Sequence, residues 1–264
     1  MGTSTKKSAL ALTRLSTRGV TTNVMAPKLL ISSKRSTSAA YPASERKKPN
    51  LCKKYSFKKC DGIVFDFGVS SFHFEEAGRG FTFKRDEPLD MRYSDSDKET
   101  SMTAADILRT YPEEKLASLF KTYGGDRYAK PIAKEISEYR KHRQIERTTE
   151  LVDIVLKAIP HRERYAKIHP ATRVFQALRI EVNRELDNIT NVLRQIFGTV
   201  KKGGRAVFIS FHSLEDGIVK RFLKEQEKHH KLAILTKKPI VPAKSEVILN
   251  PRARSAKLRA ARII

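Results

Sequence analysis

The sequence predicts an α/β fold in which an open sheet is interrupted by an inserted block of helices. Two short apolar runs, Gly62–Phe67 and Arg205–Phe211, have the length and composition of strands buried in a parallel sheet. A long stretch with helical periodicity separates them. Because parallel strands need a long connection, usually a helix, this order of elements favours an open sheet with helices packed against it.

The chain is strongly basic. Among its 264 residues, 53 are Lys or Arg and 29 are Asp or Glu, which gives a formal net charge of +24. Lysine and arginine gain affinity for phosphates by releasing counterions, so nucleic acid is the expected partner. A charge that only keeps the protein soluble is the alternative. No apolar run reaches the length of a membrane span. The two cysteines, Cys52 and Cys60, are too few for a disulfide framework or a four-ligand metal set, so we expect free thiols and no metal site.

Residues 1–57 differ from the rest of the chain. They are rich in Ser, Thr, Lys and Arg, their only acid is Glu45, and their one short apolar run is Leu29–Ile31. A mitochondrial presequence, an RNA-binding arm and a start that is not native domain sequence are three interpretations of this composition. Under all three, we expect residues 1–57 to form a disordered leader.

Helical periodicity dominates the middle of the chain. Thr103 can cap a first helix, with Asp106 closing a capping box. Further apolar stripes predict helices before Gly124-Gly125, from near Lys130, and from Thr149. From Pro170, a single long helix is expected, with an apolar face formed by Phe175, Leu178, Val182, Leu186, Ile189, Leu193 and Ile196.

After the second strand, Ser213 can cap another helix, with Asp216 three residues later. Three β-prone runs follow, near Leu232–Leu235, Val247–Leu249 and Leu258–Ile264. These runs predict that the sheet ends in additional strands.

Polar residues follow each predicted buried strand, where open α/β sheets bind their ligands. Asp66 with Ser70 and Ser71 follows the first strand, and Ser210 with His212 and Ser213 follows the second. The carboxylate of Asp66 could accept hydrogen bonds from a cofactor amine or ribose, or it could simply cap a turn. His212 could contact a substrate, or it could be a structural histidine. A Ser/His/Asp hydrolase is rejected because these residues are nearly adjacent and no G-x-S-x-G elbow is present.

Two further loops carry arginines. Arg252 and Arg254 lie one residue apart, followed by Lys257, Arg259 and Arg262, and forked guanidinium groups suit RNA phosphates. The alternative is a basic turn before the last strand. The loop that begins at Gly78 is interpreted as a surface loop held by local ion pairs.

Five segments in this order resemble one family: DGIVFDFGVSS, RGFTFKRDEPLDMR, HPATRVFQALRIEVNREL, GGRAVFISFHSLEDGIVKRF and NPRARSAKLRAARI. They resemble the small-subunit ribosomal RNA cytosine-N4 methyltransferases of the MraW type, from about Cys60 to Arg262. The resemblance implies a Rossmann-like methyltransferase that uses S-adenosylmethionine and methylates N4 of a cytosine. It also implies that Asp66 is a cofactor-contacting acid, and that His73 stands where the family has a cofactor-contacting Gln.

The chain departs from the family upstream of this region. Family members carry a glycine-rich loop and a ribose-binding acid there, whereas Gly2 and Gly19 stand alone here. We therefore expect an incomplete N-terminal half of the methyltransferase fold. The expected core comprises residues 58–92 and 170–264, with a helical insert at 93–169.

The resemblance also sets the expected activity and its alternative. A ribosomal RNA methyltransferase is the first expectation, with ribosomal RNA or the small ribosomal subunit as partner and His212, Arg252 and Arg254 as RNA contacts. A non-catalytic RNA-binding remnant of the family is the second. The expected compartment is the cytoplasm, with the mitochondrial matrix as the alternative.

Overall fold

The predicted α/β architecture is confirmed. A computed structural model of the chain describes residues 59–69, 78–93 and 102–264, together with the backbone of two strands at 28–32 and 39–42. The described strands form one sheet in the order β2-β1-β3-β4-β6-β5, in which β3 and β4 are parallel and every other neighbouring pair is antiparallel. The strands are β1 (Lys28–Ser32), β2 (Ala39–Pro42), β3 (Cys60–Asp66), β4 (Val200–Ser210), β5 (Leu232–Ile234) and β6 (Lys257–Ile263).

Two of these strands lie within the segment expected to be a disordered leader. β1 contains the apolar run Leu29–Ile31 and pairs antiparallel with β3, with Leu29 opposite Phe65. β2 pairs antiparallel with β1 in turn. The structure thus places two strands within the segment for which the composition predicts disorder. A physical reason is that the edge of β3 offers unpaired backbone groups to any β-prone segment that can reach it.

The helices between β3 and β6 follow the predicted periodicities closely. Thr103 caps the first of them through the predicted capping box with Asp106. The helices are α1 (Ala104–Thr110), α2 (Glu113–Thr122), α3 (Ala129–Tyr139), α4 (Thr148–Ala158), α5 (Ala171–Asn183), α6 (Glu185–Arg194), α7 (Ile196–Thr199), α8 (Ser213–Lys228) and α9 (Lys244–Leu249).

The single long helix expected from Pro170 is wrong. Arg184 has a left-handed backbone (φ 47°), which ends α5 and starts α6 in a new direction. The apolar stripe continues through the break, so periodicity alone could not reveal it. The break lets α5 and α6 bury their apolar faces in different places.

The described residues bury two separate apolar clusters. The helical cluster draws on residues 81–93 and 104–182, and includes Phe120, Leu151 and Leu178. The sheet cluster draws on residues 60–67 and 189–263, and includes Phe65 and Phe208. The boundaries predicted at residues 93 and 170 differ from these clusters, because the loop from Phe81 and helix α5 both pack into the helical one.

The last part of the chain differs from the prediction at one run. Leu232–Leu235 and Leu258–Ile264 contain β5 and β6 as expected, but Val247–Leu249 forms the end of α9. Ile248 and Leu249 are 78% and 88% exposed. β6, the next strand along the chain, has no side open to this run, because it is paired with β4 and β5 and Ile240 bridges to Leu258.

Cys60 is buried, and its thiol donates to the carbonyl oxygen of Thr199 at 3.2 Å; Cys52 lies outside the described residues. In the part of the chain that the structure describes, no helix combines the length and the hydropathy that crossing a membrane requires.

Candidate functional site

The carboxyl ends of β3 and β4 lie side by side, as the sequence predicts. Asp66 at the end of β3 pairs in register with Ile209 of β4, and the N–H of Phe67 donates to the carbonyl oxygen of Ile209 at 3.0 Å. The residues that follow both strands therefore meet at one edge of the sheet. Ser210 and His212 are placed beside the turn that begins at Asp66.

The carboxylate of Asp66 is held by this turn. Its Oδ1 accepts a hydrogen bond from the N–H of Gly68 at 2.9 Å. A Cβ at position 68 would lie 2.6 Å from Phe211 Cε2 and 2.9 Å from Asp66 Oδ1, so a larger residue would displace the Phe211 ring or the Asp66 carboxylate. Asp66 therefore caps a turn, which was one of the two interpretations of this residue, and the turn also fixes the carboxylate at the sheet edge. Ser70, Ser71 and His73 lie outside the described residues.

The other neighbour of β3 runs in the opposite direction. Lys28, the first residue of β1, stands opposite Asp66 in the register, and Ser32 stands opposite Gly62. The amino end of β1 is therefore beside Asp66, where a parallel strand would present its carboxyl end. Among the described residues, no loop that follows a parallel strand approaches Asp66 from this side.

The helix after β4 is capped differently from the prediction. Its N-cap is His212, and Ser213 is the first helical residue and is exposed. The carboxylate of Glu215 supplies the cap, because its Oε2 accepts from the N–H groups of Phe211 at 2.7 Å and His212 at 3.2 Å. Asp216, predicted to close the cap, instead pairs with Arg259.

The imidazole of His212 faces the interior. Its Nε2 lies 3.1 Å from Glu215 Oε1, and both ring nitrogens are buried and form no hydrogen bond. The side chain is 15% exposed. A contact between His212 and RNA stays a prediction, and the ring would have to turn outward to make it.

A buried polar network, formed by Tyr93, Arg179 and Glu185, adjoins Glu215 and His212. The hydroxyl of Tyr93 donates to Glu185 Oε1 at 2.6 Å, and Arg179 donates to both carboxylate oxygens of Glu185 at 2.8 and 3.1 Å. Burial, reinforced by Glu185, raises the pKa of Tyr93 well above its usual value of 10.0. Burial is the largest influence on Arg179 and acts to lower its pKa, but Glu185, Tyr93 and Glu215 together outweigh it and the pKa is raised. The phenol therefore keeps its proton and the guanidinium its charge at neutral pH.

The helix break at Arg184 positions this network. Asn183, the last residue of α5, accepts from the N–H of Tyr93 at 3.0 Å and donates to the carbonyl oxygen of Met91 at 2.8 Å. Glu185 follows Asn183 by two residues, so this short stretch of chain ties the loop at residues 91–93 to the start of α6. These residues were not singled out from the sequence. Arg179 and Glu185 are six residues apart, which was the available signal, but Tyr93 is 92 residues from Glu185.

Glu185, His212 and Glu215 form the group of three potential metal ligands found among the described residues, with ligand atoms within 4.8 Å of one another. Both oxygens of Glu185 already accept hydrogen bonds from Arg179 or Tyr93, and Glu215 Oε2 accepts from two backbone N–H groups. A metal ion here would also lie close to the Arg179 guanidinium. The donors fit a hydrogen-bonded network better than a metal site.

The loop that begins at Gly78 contains the local ion pairs that the sequence predicts. Arg92 binds Asp90 at 2.6 Å, and Arg85 approaches Glu87 at 3.2 Å. It is more than a surface loop, however, because Phe81 is 5% exposed and packs in the helical cluster. The loop is thereby packed against the helices.

The two arginines predicted to contact RNA lie on the surface. Arg252 and Arg254 are exposed on a short 3-10 turn (Pro251–Ser255), which is anchored by Ala253 at 7% exposure. Arg262 is exposed as well. Arg259 is not available to RNA, because it is 6% exposed and donates to both oxygens of Asp216 at 2.6 and 3.0 Å. The pair fixes β6 to α8.

Comparison with known proteins agrees with the resemblance. A sequence model of the MraW methylase family matches residues 25–264. The "Ribosomal RNA small subunit methyltransferase H" of Sulfurihydrogenibium sp. is 50% identical over 207 residues, which cover 78% of this chain and 69% of the relative. The proteins of the same name from Clostridioides difficile and Kosmotoga olearia are 45% identical over 218 residues (77% and 69% covered) and 51% over 205 residues (77% and 66%). This chain thus spans about two thirds of the length of these relatives and belongs to the MraW methylase family.

Proposed function

We propose that the protein is an S-adenosylmethionine-dependent methyltransferase that modifies N4 of a cytosine in small-subunit ribosomal RNA. Membership of a methylase family and the names of the relatives support the class of reaction. The structural observation that carries the proposal is the position of Asp66 at the carboxyl end of β3, beside the end of β4. Ligands of open α/β sheets bind at such an edge.

The described residues fit one part of this cofactor. The turn at Gly68 orients the Asp66 carboxylate, which can accept a hydrogen bond from a cofactor amine or hydroxyl. His73 would be a second contact. S-adenosylmethionine would supply an electrophilic methyl group; the protein's own residues would position the cytosine amine and accept hydrogen bonds from its N–H groups. The network of Tyr93, Arg179 and Glu185 would hold the loop at His212 in place.

One observation favours a second function, a non-catalytic RNA-binding protein. On the far side of β3, the amino end of β1 lies beside Asp66. In the family that the chain resembles, a glycine-rich loop follows a strand and approaches the methionine part of the cofactor. The antiparallel β1 does not supply such a loop beside Asp66. In that case the basic surface that includes Arg252 and Arg254 would bind RNA without methyl transfer.

Titration calorimetry with S-adenosylmethionine distinguishes the two functions. For the methyltransferase we expect binding that Asp66→Ala weakens about 10- to 150-fold, because a hydrogen bond to a charged group contributes roughly 1.5–3 kcal/mol. Asp61→Ala is the matched control, since Asp61 lies at the opposite end of the same strand and pairs with Lys201.

Two results would count against the methyltransferase. No heat of binding with the unmodified chain would favour the RNA-binding alternative. Equal weakening by Asp66→Ala and Asp61→Ala would show that the carboxylate at the sheet edge is not the contact. Thermal melting of both variants shows whether either has lost its fold.

We also propose that ribosomal RNA or the small ribosomal subunit is the partner. The relatives' names and the net charge of +24 support this. The cytoplasm is the proposed compartment because the relatives are bacterial proteins, and the mitochondrial matrix is the alternative.

Replacing Arg252 and Arg254 by glutamine tests the RNA surface. Affinity for a single-stranded RNA should fall, and the slope of log K against log salt concentration should become shallower by about one unit per arginine. The reason is that binding releases fewer counterions when a phosphate contact has been lost. An unchanged slope would remove this turn from the RNA surface.

A further inference from the structure

The segment between α4 and α5, residues 160–170, forms a second basic surface that the candidate site does not use. We call it the basic-aromatic loop. It begins at Pro160 and ends at Pro170, and its sequence, PHRERYAKIHP, contains three Lys or Arg, two His and one acid. It includes only a short 3-10 turn, His161–Glu163, so its backbone is largely irregular. Irregular surface segments of this composition commonly carry binding residues.

Tyr165 is the exceptional residue of this loop. It is 78% exposed, and its ring meets that of His161 edge-on, with the centroids 5.3 Å apart. The contact restrains one side of the ring while most of its surface remains open to solvent. An exposed aromatic ring of this kind is what proteins use to stack an unpaired base.

The charges around Tyr165 favour an anionic ligand. The side chain of Arg162 is 85% exposed, and Lys167 is exposed. Glu163, the only acid of the loop, is engaged by Arg127 from outside the loop and lies 3.6 Å from Arg162. The positive charge is therefore only partly neutralised.

The loop borders a cavity, and its residue His169 packs against aromatic side chains of the helical cluster. A cavity of about 390 Å³ is lined by the cations Arg127, Lys167 and Arg173, by Tyr128 and His169, and by the acids Asp126 and Glu163, among others. Beneath it, His169 packs on Phe83 with ring centroids 4.8 Å apart, and Phe83 packs edge-on against Phe175. An exposed aromatic residue next to cations and a polar cavity is the arrangement of single-stranded nucleic-acid sites.

We propose that the basic-aromatic loop binds a single-stranded segment of RNA, with Tyr165 stacking on an unpaired base and Arg162 and Lys167 contacting the flanking phosphates. This rests on the proposed function for the identity of the polyanion, and it adds a contact on the helical part of the molecule, distinct from the turn at Arg252 and Arg254. Membrane binding is less favoured, because the exposed apolar residues here, Tyr165 and Ile168, are interrupted by charge.

The test measures binding of the full chain to a fluorescent single-stranded RNA of mixed sequence, and to the same RNA annealed to its complement. Tyr165→Ala should weaken binding of the single strand about 5- to 150-fold and change the salt slope little, because stacking does not release counterions. Binding of the duplex should change little, because its bases are already stacked. Tyr165→Phe keeps the ring and should retain the affinity.

Two controls distinguish the loss of base stacking from the loss of a positive charge and from the loss of any exposed apolar side chain. Lys167→Gln should weaken single strand and duplex alike and reduce the salt slope by about one unit. Leu235→Ala, which removes an apolar side chain that is 49% exposed after β5, should change neither affinity. Thermal melting of each variant confirms that the fold is retained.

Several results would overturn the proposal. Unchanged affinity of Tyr165→Ala for the single strand, or an equal loss for strand and duplex, would exclude base stacking. Loss of binding to vesicles containing phosphatidylserine, with RNA affinity retained, would make the loop a membrane contact instead. The assay needs no cofactor, so Tyr165-dependent RNA binding without methyl transfer would sustain this proposal while the methyltransferase proposal failed.

Discussion

Replacing Glu185 by glutamine is expected to lower the free energy of unfolding by about 3–5 kcal/mol, because it leaves the buried guanidinium of Arg179 without its counter-charge. The side chains of Arg179 and Glu185 are only 15% and 10% exposed, and both carboxylate oxygens accept hydrogen bonds from Arg179. Urea denaturation at neutral pH measures the change.

The matched control is Glu138→Gln. Glu138 pairs with Lys141 at 2.8 Å, a similar contact, but its side chain is 52% exposed. No measurable loss of stability is expected there, because water already solvates both charges. Equal effects of the two substitutions would show that the Glu185 pair is not buried in solution.

The hydrogen bond between Tyr93 and Glu185 also predicts that the effects of substitutions at these two residues on stability are coupled. Because the phenol donates to the same carboxylate at 2.6 Å, the destabilisation caused by Tyr93→Phe and Glu185→Gln should not add. The double variant should be less destabilised than the sum of the two single variants. Strict additivity would mean that the hydroxyl and the carboxylate act independently.

Replacing Asp216 by asparagine is the second large expected effect, again about 3–5 kcal/mol at neutral pH. It leaves Arg259, which is 6% exposed, as a buried charge between α8 and β6. Changing both partners to apolar residues, as in Asp216→Leu with Arg259→Met, should recover much of the loss, because no unpaired charge then remains. Failure of the double variant to recover would show that packing, and not the unpaired charge, causes the effect.

The Asp216 pair also predicts a pH dependence. Hydrogen bonding from Arg259 is the main cause that holds the pKa of Asp216 below its usual value of 3.8. A lowered pKa in the folded state stabilises the protein above that value, and the stabilisation is lost as the pH falls through the folded pKa. The stability difference between the unmodified chain and Asp216→Asn should therefore be constant near neutrality and narrow below about pH 4. A difference that widens in acid would contradict the assignment.

Local sequence patterns predicted much of the fold. Strands β3 and β4, most helix positions and the capping box at Thr103 follow from periodicity and capping chemistry that neighbouring residues determine. The meeting of Asp66 with the end of β4 also followed, because parallel strands end at the same edge of a sheet. The antiparallel pairing of β1 was missed, since a short apolar run does not indicate which edge it will join.

The sequence by itself thus determined most of the strand-and-helix order from β3 to α8, the basic character and the carboxylate at the end of β3. The tertiary structure decided which charged residues are buried. Arg259 belongs to a basic run in the sequence and yet pairs with Asp216, 43 residues away. Arg179, Glu185 and Tyr93 likewise look like ordinary polar positions until the left-handed Arg184 turns α6 away from α5. The physical reason is that periodicity reports only which face of a helix is apolar, whereas the partner of a buried charge depends on which distant segment packs against it.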